Sequence, residues 1–172
     1  YWHIGKAPYT LEALKEISID NFKLFRALKG KNKKCLVLDC DNTLWGGIVG
    51  EDGLVGIKLG PNYPGSAFLA FQQEILSLFN RGIIIALCSK NNESDVLEVL
   101  DNHPHMLIKR KHISISMINW EDKASNIEKI ASELNIGIDS IVFIDDNEFE
   151  TNLVKKMLPL VETIHLPKGK SA

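Results

Sequence analysis

Three stretches of the chain are apolar almost without interruption: CLVLD from Cys35, IIIALCS at 83–89 and SIVFIDD at 140–146. Short continuous runs closed by polar residues predict strands covered on both faces, as in a parallel sheet. Between them the apolar period lengthens. From Ser66 to Asn80 it puts Phe68, Phe71, Ile75 and Phe79 on one helix face, with Gly82 beyond the end, and after Lys123 it repeats at Ile127, Ile130, Ala131 and Leu134. Strands alternating with helices predict an α/β, Rossmann-like fold with a central parallel sheet flanked by helices. Right-handed crossovers then bring the C-terminal ends of all strands to one edge, where such folds hold their ligands.

Three runs end in polar residues at that edge: Asp39-Cys40-Asp41, Ser89-Lys90 and Asp145-Asp146. Gly46 to Gly60 holds six of the twelve glycines and includes Asp52-Gly53 between Ile48-Val49 and Leu54-Val55, which predicts a hairpin flap after the first strand. Residues 1–34 read as an extension, with Thr10 capping a loosely periodic helix and a basic KGKNKK linker at its end. Residues 35–172 read as the catalytic domain.

Composition narrows the choices. The 172 residues suffice for one domain with a sizeable core, and no apolar run approaches the ~20 residues of a membrane helix. A net charge of −2 speaks against a general nucleic-acid binder, so neither nucleic acid nor membrane is expected as a partner. Cys35, Cys40 and Cys88 lack zinc spacing and lie in or beside apolar runs, which predicts a reducing, cytoplasmic setting. The chain starts at Tyr1 rather than Met, as expected for a piece of a longer protein.

Asp39, Asp41 and one of Asp145 or Asp146 form an oxygen-rich set suited to Mg²⁺, whose charge would relieve repulsion among the carboxylates. Ser89 and the following N–H groups, with Lys90, offer a phosphate cradle at a helix start; Ser89 as a plain N-cap is the other reading. Lys123 heads a helix, where the positive end of the dipole disfavours a cation unless an anion lies close by.

DCDNT at 39–43, Ser89 after an apolar strand, Lys123 at a helix start and IDD at 144–146 resemble the four ordered motifs of the haloacid-dehalogenase (HAD) superfamily of phosphotransferases. The resemblance implies Asp39 as the nucleophile that forms an aspartyl phosphate and Asp41 as general acid/base, with Mg²⁺ on its backbone carbonyl. It also implies Ser89 and Lys123 as phosphoryl-binding groups, Asp146 as direct metal ligand and Asp145 as its outer partner. Asp41 and Ser89 are 48 positions apart and Ser89 and Lys123 another 34, which leaves no room for a large cap domain. A capless site is open to a bulky or protein-tethered substrate.

LVLDCDNTLWGGIVGEDG, ALCSKNNESDV, INWEDKASNI and FIDDNEFE are similar to the FkbH-like subfamily of polyketide biosynthesis. That resemblance implies a glyceryl transferase/phosphatase that takes 1,3-bisphosphoglycerate, removes its phosphates and loads the glyceryl group onto the phosphopantetheine thiol of an acyl carrier protein. Cys40 would carry the glyceryl thioester. A fully extended backbone over residues 39–41 would instead point Cys40 away from both aspartates, as a packing residue. The candidate substrate contacts are Trp45 and Gly46 on the flap, Asn91, and Arg110 and His112 in a basic cluster, each with a structural alternative: hairpin anchor, turn or solvated loop. A plain phosphatase and a non-catalytic carrier-docking domain are the rival readings.

Overall fold

In the computed structural model, which describes residues 33–167, the apolar runs are strands, and two further strands complete the sheet. The order is β1 (Cys35–Leu38), α1 (Val49–Gly56), α2 (Gly65–Asn80), β2 (Ile84–Ser89), α3 (Glu93–Asn102), a 3₁₀ turn (Arg110–His112), β3 (Ile113–Ile118), α4 (Lys123–Glu133), a second 3₁₀ turn (Ile138–Ser140), β4 (Ile141–Asp145), α5 (Glu148–Met157) and β5 (Glu162–His165). The helix expected in the N-terminal extension lies outside the described residues.

All five strands are parallel, in the order β3-β2-β1-β4-β5. The chain runs outward from β1 to β3 and then returns to place β4 on the other side of β1. This makes the gap between β1 and β4 the switch point of the sheet, where ligands of such folds settle beyond the strand ends. Leu38 is level with Leu87 of β2 and Ile144 of β4, so the residues that follow these three strands emerge together.

Alternation along the strands builds two cores. Leu36, Leu38, Ile85, Leu87, Val142 and Ile144 pack with Ile75, Leu78, Val96, Val99 and Leu100 of α2 and α3. Cys35, Val37, Ala86, Cys88, Ile141 and Phe143 pack on the other face with Ala124, Ile127, Ile130 and Val154 of α4 and α5. Among the described residues no helix is long and apolar enough to cross a membrane.

The expected hairpin at Asp52-Gly53 is instead a helix. Asp52 Oδ2 accepts the N–H of Ile48, Val49 N–H is taken by Asp41, and the turn of α1 breaks only at Gly53, whose φ of 66° suits a residue without Cβ. The loop then closes through the paired backbones of Gly46 and Lys58. The turn signal is therefore overruled by hydrogen bonds to two carboxylates, Asp52 in the helix itself and Asp41 just after β1.

Candidate active site

The ends of β1, β2 and β4 and the start of α4 converge on one buried group of charges. Lys123 is only 3% exposed, yet it opens its helix, and its ammonium lies 2.8 Å from Asp39 Oδ1 and 2.5 Å from Asp145 Oδ2. Asp122 caps the helix by accepting from Ser125 N at 2.8 Å. The cation that the helix dipole disfavours is thus matched by two anions. Burial opposes the charge of Lys123, but Asp39 and Asp145 outweigh it and hold the ammonium above its usual range. The Nζ also sits 5.8 Å above the Phe143 ring.

Asp145 is fully buried and its second oxygen accepts from Asn147 N at 2.7 Å. Burial and the neighbouring Asp39 push its carboxyl up to about 6, against the pull of Lys123. Asp39, Asp145 and Asp146 bring carboxylate oxygens within 4.8 Å of one another. Hard oxygen donors crowded in this way fit a divalent cation such as Mg²⁺, whose charge would offset their repulsion.

The Asp41 carboxylate is outside that cluster and is held by three donors: Trp45 Nε1 at 2.9 Å, Val49 N at 3.0 Å and Asn91 Nδ2 at 2.9 Å. Asn91 Nδ2 also reaches Ser89 Oγ at 3.3 Å. A carboxylate with both oxygens engaged by fixed donors is oriented, as an acid/base group must be.

Several expected substrate contacts are corrected here. Trp45 is fully buried and serves Asp41 rather than substrate, and Gly46 is packed so that a Cβ would come within 2.8 Å of the Phe68 ring. Arg110 and His112 precede β3, at the opposite end of the sheet from Asp39; six strand residues, roughly 20 Å, intervene. Arg110 is paired there with Asp101, at 2.8 Å through Nε, and His112 accepts the N–H of Lys109. Lys90 stands at the site but turns its ammonium to Glu150, 2.6 Å away.

Cys40 continues the alternation of β1. It is fully buried among Leu38, Leu44 and Trp45 on the α2/α3 face, opposite to Asp39. Burial and then Asp39 push its thiol well above the ordinary value; the hydrogen bond with Ser89 lowers it and Asp41 raises it, while Lys123 lowers it least. The sequence reading missed Glu150, a buried acid in the first turn of α5, and the role of Gln72. Gln72 is fully buried, donates to Leu44 O and accepts from Leu107 N and Ile108 N, fixing the loop behind Trp45.

A family model described as NLI interacting factor-like phosphatase matches residues 34–163. The chain belongs to this phosphatase family. The N-terminal part of a Bacteroides fragilis protein, described as containing a phosphatase domain and complexed with Mg, is 46% identical over 97% of this chain, with a TM-score of 0.78. The chain spans 45% of that structure's length. A HAD family enzyme from Bacteroides thetaiotaomicron, complexed with magnesium and inorganic phosphate, shares the fold at 12% identity, with 80% of this chain and 96% of that one covered and a TM-score of 0.56. A predicted HAD-like family hydrolase from Porphyromonas gingivalis does so at 11% identity, 81% and 94% coverage and a TM-score of 0.56. No curated protein matches the chain. The phosphatase family thus shows the expected HAD-like parallel sheet with helices on both faces.

Proposed function

We propose that this domain transfers phosphoryl groups through an aspartyl phosphate on Asp39, with Mg²⁺, and that within this chemistry it serves glyceryl loading of a carrier protein. The observation that carries the first part is the buried Lys123 ammonium shared between Asp39 and Asp145 at the switch point. It leaves one Asp39 oxygen to attack phosphorus while Lys123 meets the charge on the transferred group. Asp41, fixed by Trp45, Val49 and Asn91, gives its proton to the leaving oxygen as the P–O bond breaks. It then takes a proton from the water that attacks the aspartyl phosphate, and inorganic phosphate leaves. Ser89 would hold a phosphoryl oxygen. Asp39, Asp146 and the backbone carbonyl of Asp41 would hold Mg²⁺, with Asp145 behind them, and the ion would neutralise charge on the phosphoryl oxygens.

Glyceryl transfer is supported by the likeness to FkbH-like proteins and by Cys40, which directly follows the nucleophile and lies near Ser89. The Cys40 thiol would attack the acyl carbon of 1,3-bisphosphoglycerate, forming the C–S bond as the C–O bond to phosphate breaks and its proton passes to the departing phosphate. The phosphopantetheine thiol of an acyl carrier protein would then displace Cys40. A second reading, a plain phosphatase, is favoured by one observation: the Cys40 thiol is fully buried and raised by that burial.

Incubation with 1,3-bisphosphoglycerate and Mg²⁺, followed by intact-mass spectrometry, separates the two. A dephosphorylated glyceryl adduct that moves to added holo carrier and is lost in Cys40→Ala supports loading; phosphate release without any adduct rejects it. No Mg²⁺-dependent phosphate release at all rejects both.

A further inference from the structure

Glu150 takes no part in the chemistry described above, yet it is among the most deeply buried acids of the molecule, only 6% exposed. Its Oε1 lies 2.6 Å from Lys90 Nζ, while Oε2 is buried with no hydrogen-bond partner. Desolvating a carboxylate is costly, and Lys90 together with the positive end of α5 compensates this one while Oε2 stays unpaired.

Lys90 follows Ser89 and precedes Asn91. That three-residue segment is held from two sides: Asn91 Nδ2 binds Asp41 Oδ2 at 2.9 Å, while Lys90 reaches across to the first turn of α5. The same turn follows Asp145 and Asp146 by a few residues. The ion pair therefore ties the segment carrying the phosphate cradle to the helix that follows Asp145 and Asp146, and Asn91 ties it to the acid/base carboxylate.

We infer that Glu150 is a positioning residue, which acts through Lys90 to fix the Ser89–Asn91 segment and thereby the placement of Ser89 and the aim of Asp41. This rests on the phosphoryl-transfer reading. The ammonium of Lys90 is consumed by the buried carboxylate, so its contribution to the site is geometric rather than a free charge offered to substrate.

The test uses the whole chain, p-nitrophenyl phosphate and Mg²⁺, with Glu150→Gln, Lys90→Met and the double variant. Each single change is expected to lower kcat at least tenfold with KM altered less than threefold. The double variant, which leaves no unpaired buried charge, should recover the melting temperature of the wild type but not its kcat. Recovery of both, or single variants within twofold of wild-type kcat, would overturn the inference and leave an ordinary buried ion pair. Hydrogen exchange gives a readout that survives even if the wild type turns nothing over, an outcome that would count against the phosphoryl-transfer reading alone. Glu150→Gln should speed exchange in residues 89–92 at least tenfold while 148–157 stays as in the wild type; faster exchange confined to 148–157 would overturn the inference.

Discussion

Asp39 and Cys40 leave the end of β1 on opposite faces of the sheet, and both are buried. Asp39 meets Lys123 and, through it, Asp145; Cys40 meets Leu38, Leu44 and Trp45. The contrast shows that burial alone does not set the electrostatics of a group. On the α4/α5 side the fold has placed a cation where the helix dipole would reject one, and has placed two carboxylates to hold it. On the α2/α3 side it has buried a thiol in an apolar cluster, and burial and the nearby Asp39 both favour its neutral form. Close counter-charges hold the first face together, and the two faces should respond differently when either is altered.

The largest difference is expected from Lys123→Met. Removing the ammonium leaves Asp39 and Asp145 buried and uncompensated, which should cost about 3–5 kcal/mol of stability and lower phosphate release by roughly 10²–10³-fold. If a divalent cation occupies the acidic cluster, added Mg²⁺ should return part of the lost melting temperature. A variant that keeps wild-type activity would erase the distinction between the two faces.

Trp45→Phe crosses the divide, since Trp45 packs with the apolar core but gives its N–H to Asp41. Val49 N and Asn91 still hold the carboxylate, so a fall in kcat of roughly 10-fold is expected, below the 10²–10⁴-fold that acid–base catalysis typically supplies. The stability loss should be about 1 kcal/mol. Steady-state kinetics beside thermal melts would show whether the aim of Asp41 matters apart from the packing of the ring.

Cys40→Ala removes a side chain that packs in the apolar core, beside Ser89. It should destabilise the domain by about 1 kcal/mol through lost packing, leaving phosphate release within a few-fold of wild type. A loss of phosphate release as large as that of Lys123→Met would mean that the thiol shares in the phosphoryl chemistry.

How much of this was legible beforehand depended on whether the signal was local. The strands at Cys35, Ile84 and Ile141 were readable because a strand covered on both faces must be apolar throughout. The helix expected over 66–80 is Gly65–Asn80, and parallel topology alone brought Asp39, Ser89, Lys123 and Asp145 to one edge. Which side chain meets which was not readable, even a few positions apart. Asp52-Gly53 looks like a hairpin until Asp41 claims the N–H of Val49, and Trp45 looks like a flap residue until it meets the same carboxylate. Arg110 and His112 come shortly before Lys123 in the chain, but β3 runs between them and leaves them at the far end of the sheet. Glu150 had one clue, an acid four positions after Asp146 on a helix, but its burial and its bond to Lys90 exist only in the folded chain.

The smallest expected effect tests how the charged face is supported rather than what it does. Asp122 is exposed and caps α4 one residue before Lys123, so Asp122→Ala should cost about 1 kcal/mol and leave the Lys123 contacts in place. The hydrogen bonds from Ser125, backbone first, lower its carboxyl below the ordinary 3.8, with a smaller contribution from Lys90. A depressed acid stabilises the fold above its unfolded value and loses that contribution as pH falls through the folded one. The gap in stability between wild type and variant should therefore be full near pH 7 and shrink below about pH 3.8. Urea melts across that range would show it, and a gap that stayed constant into acid would assign the cap to its shape rather than its charge. Because Asp122 starts the helix and Lys123 follows it, an activity loss much beyond what the stability change explains would mean that the cap also sets where the ammonium sits between Asp39 and Asp145.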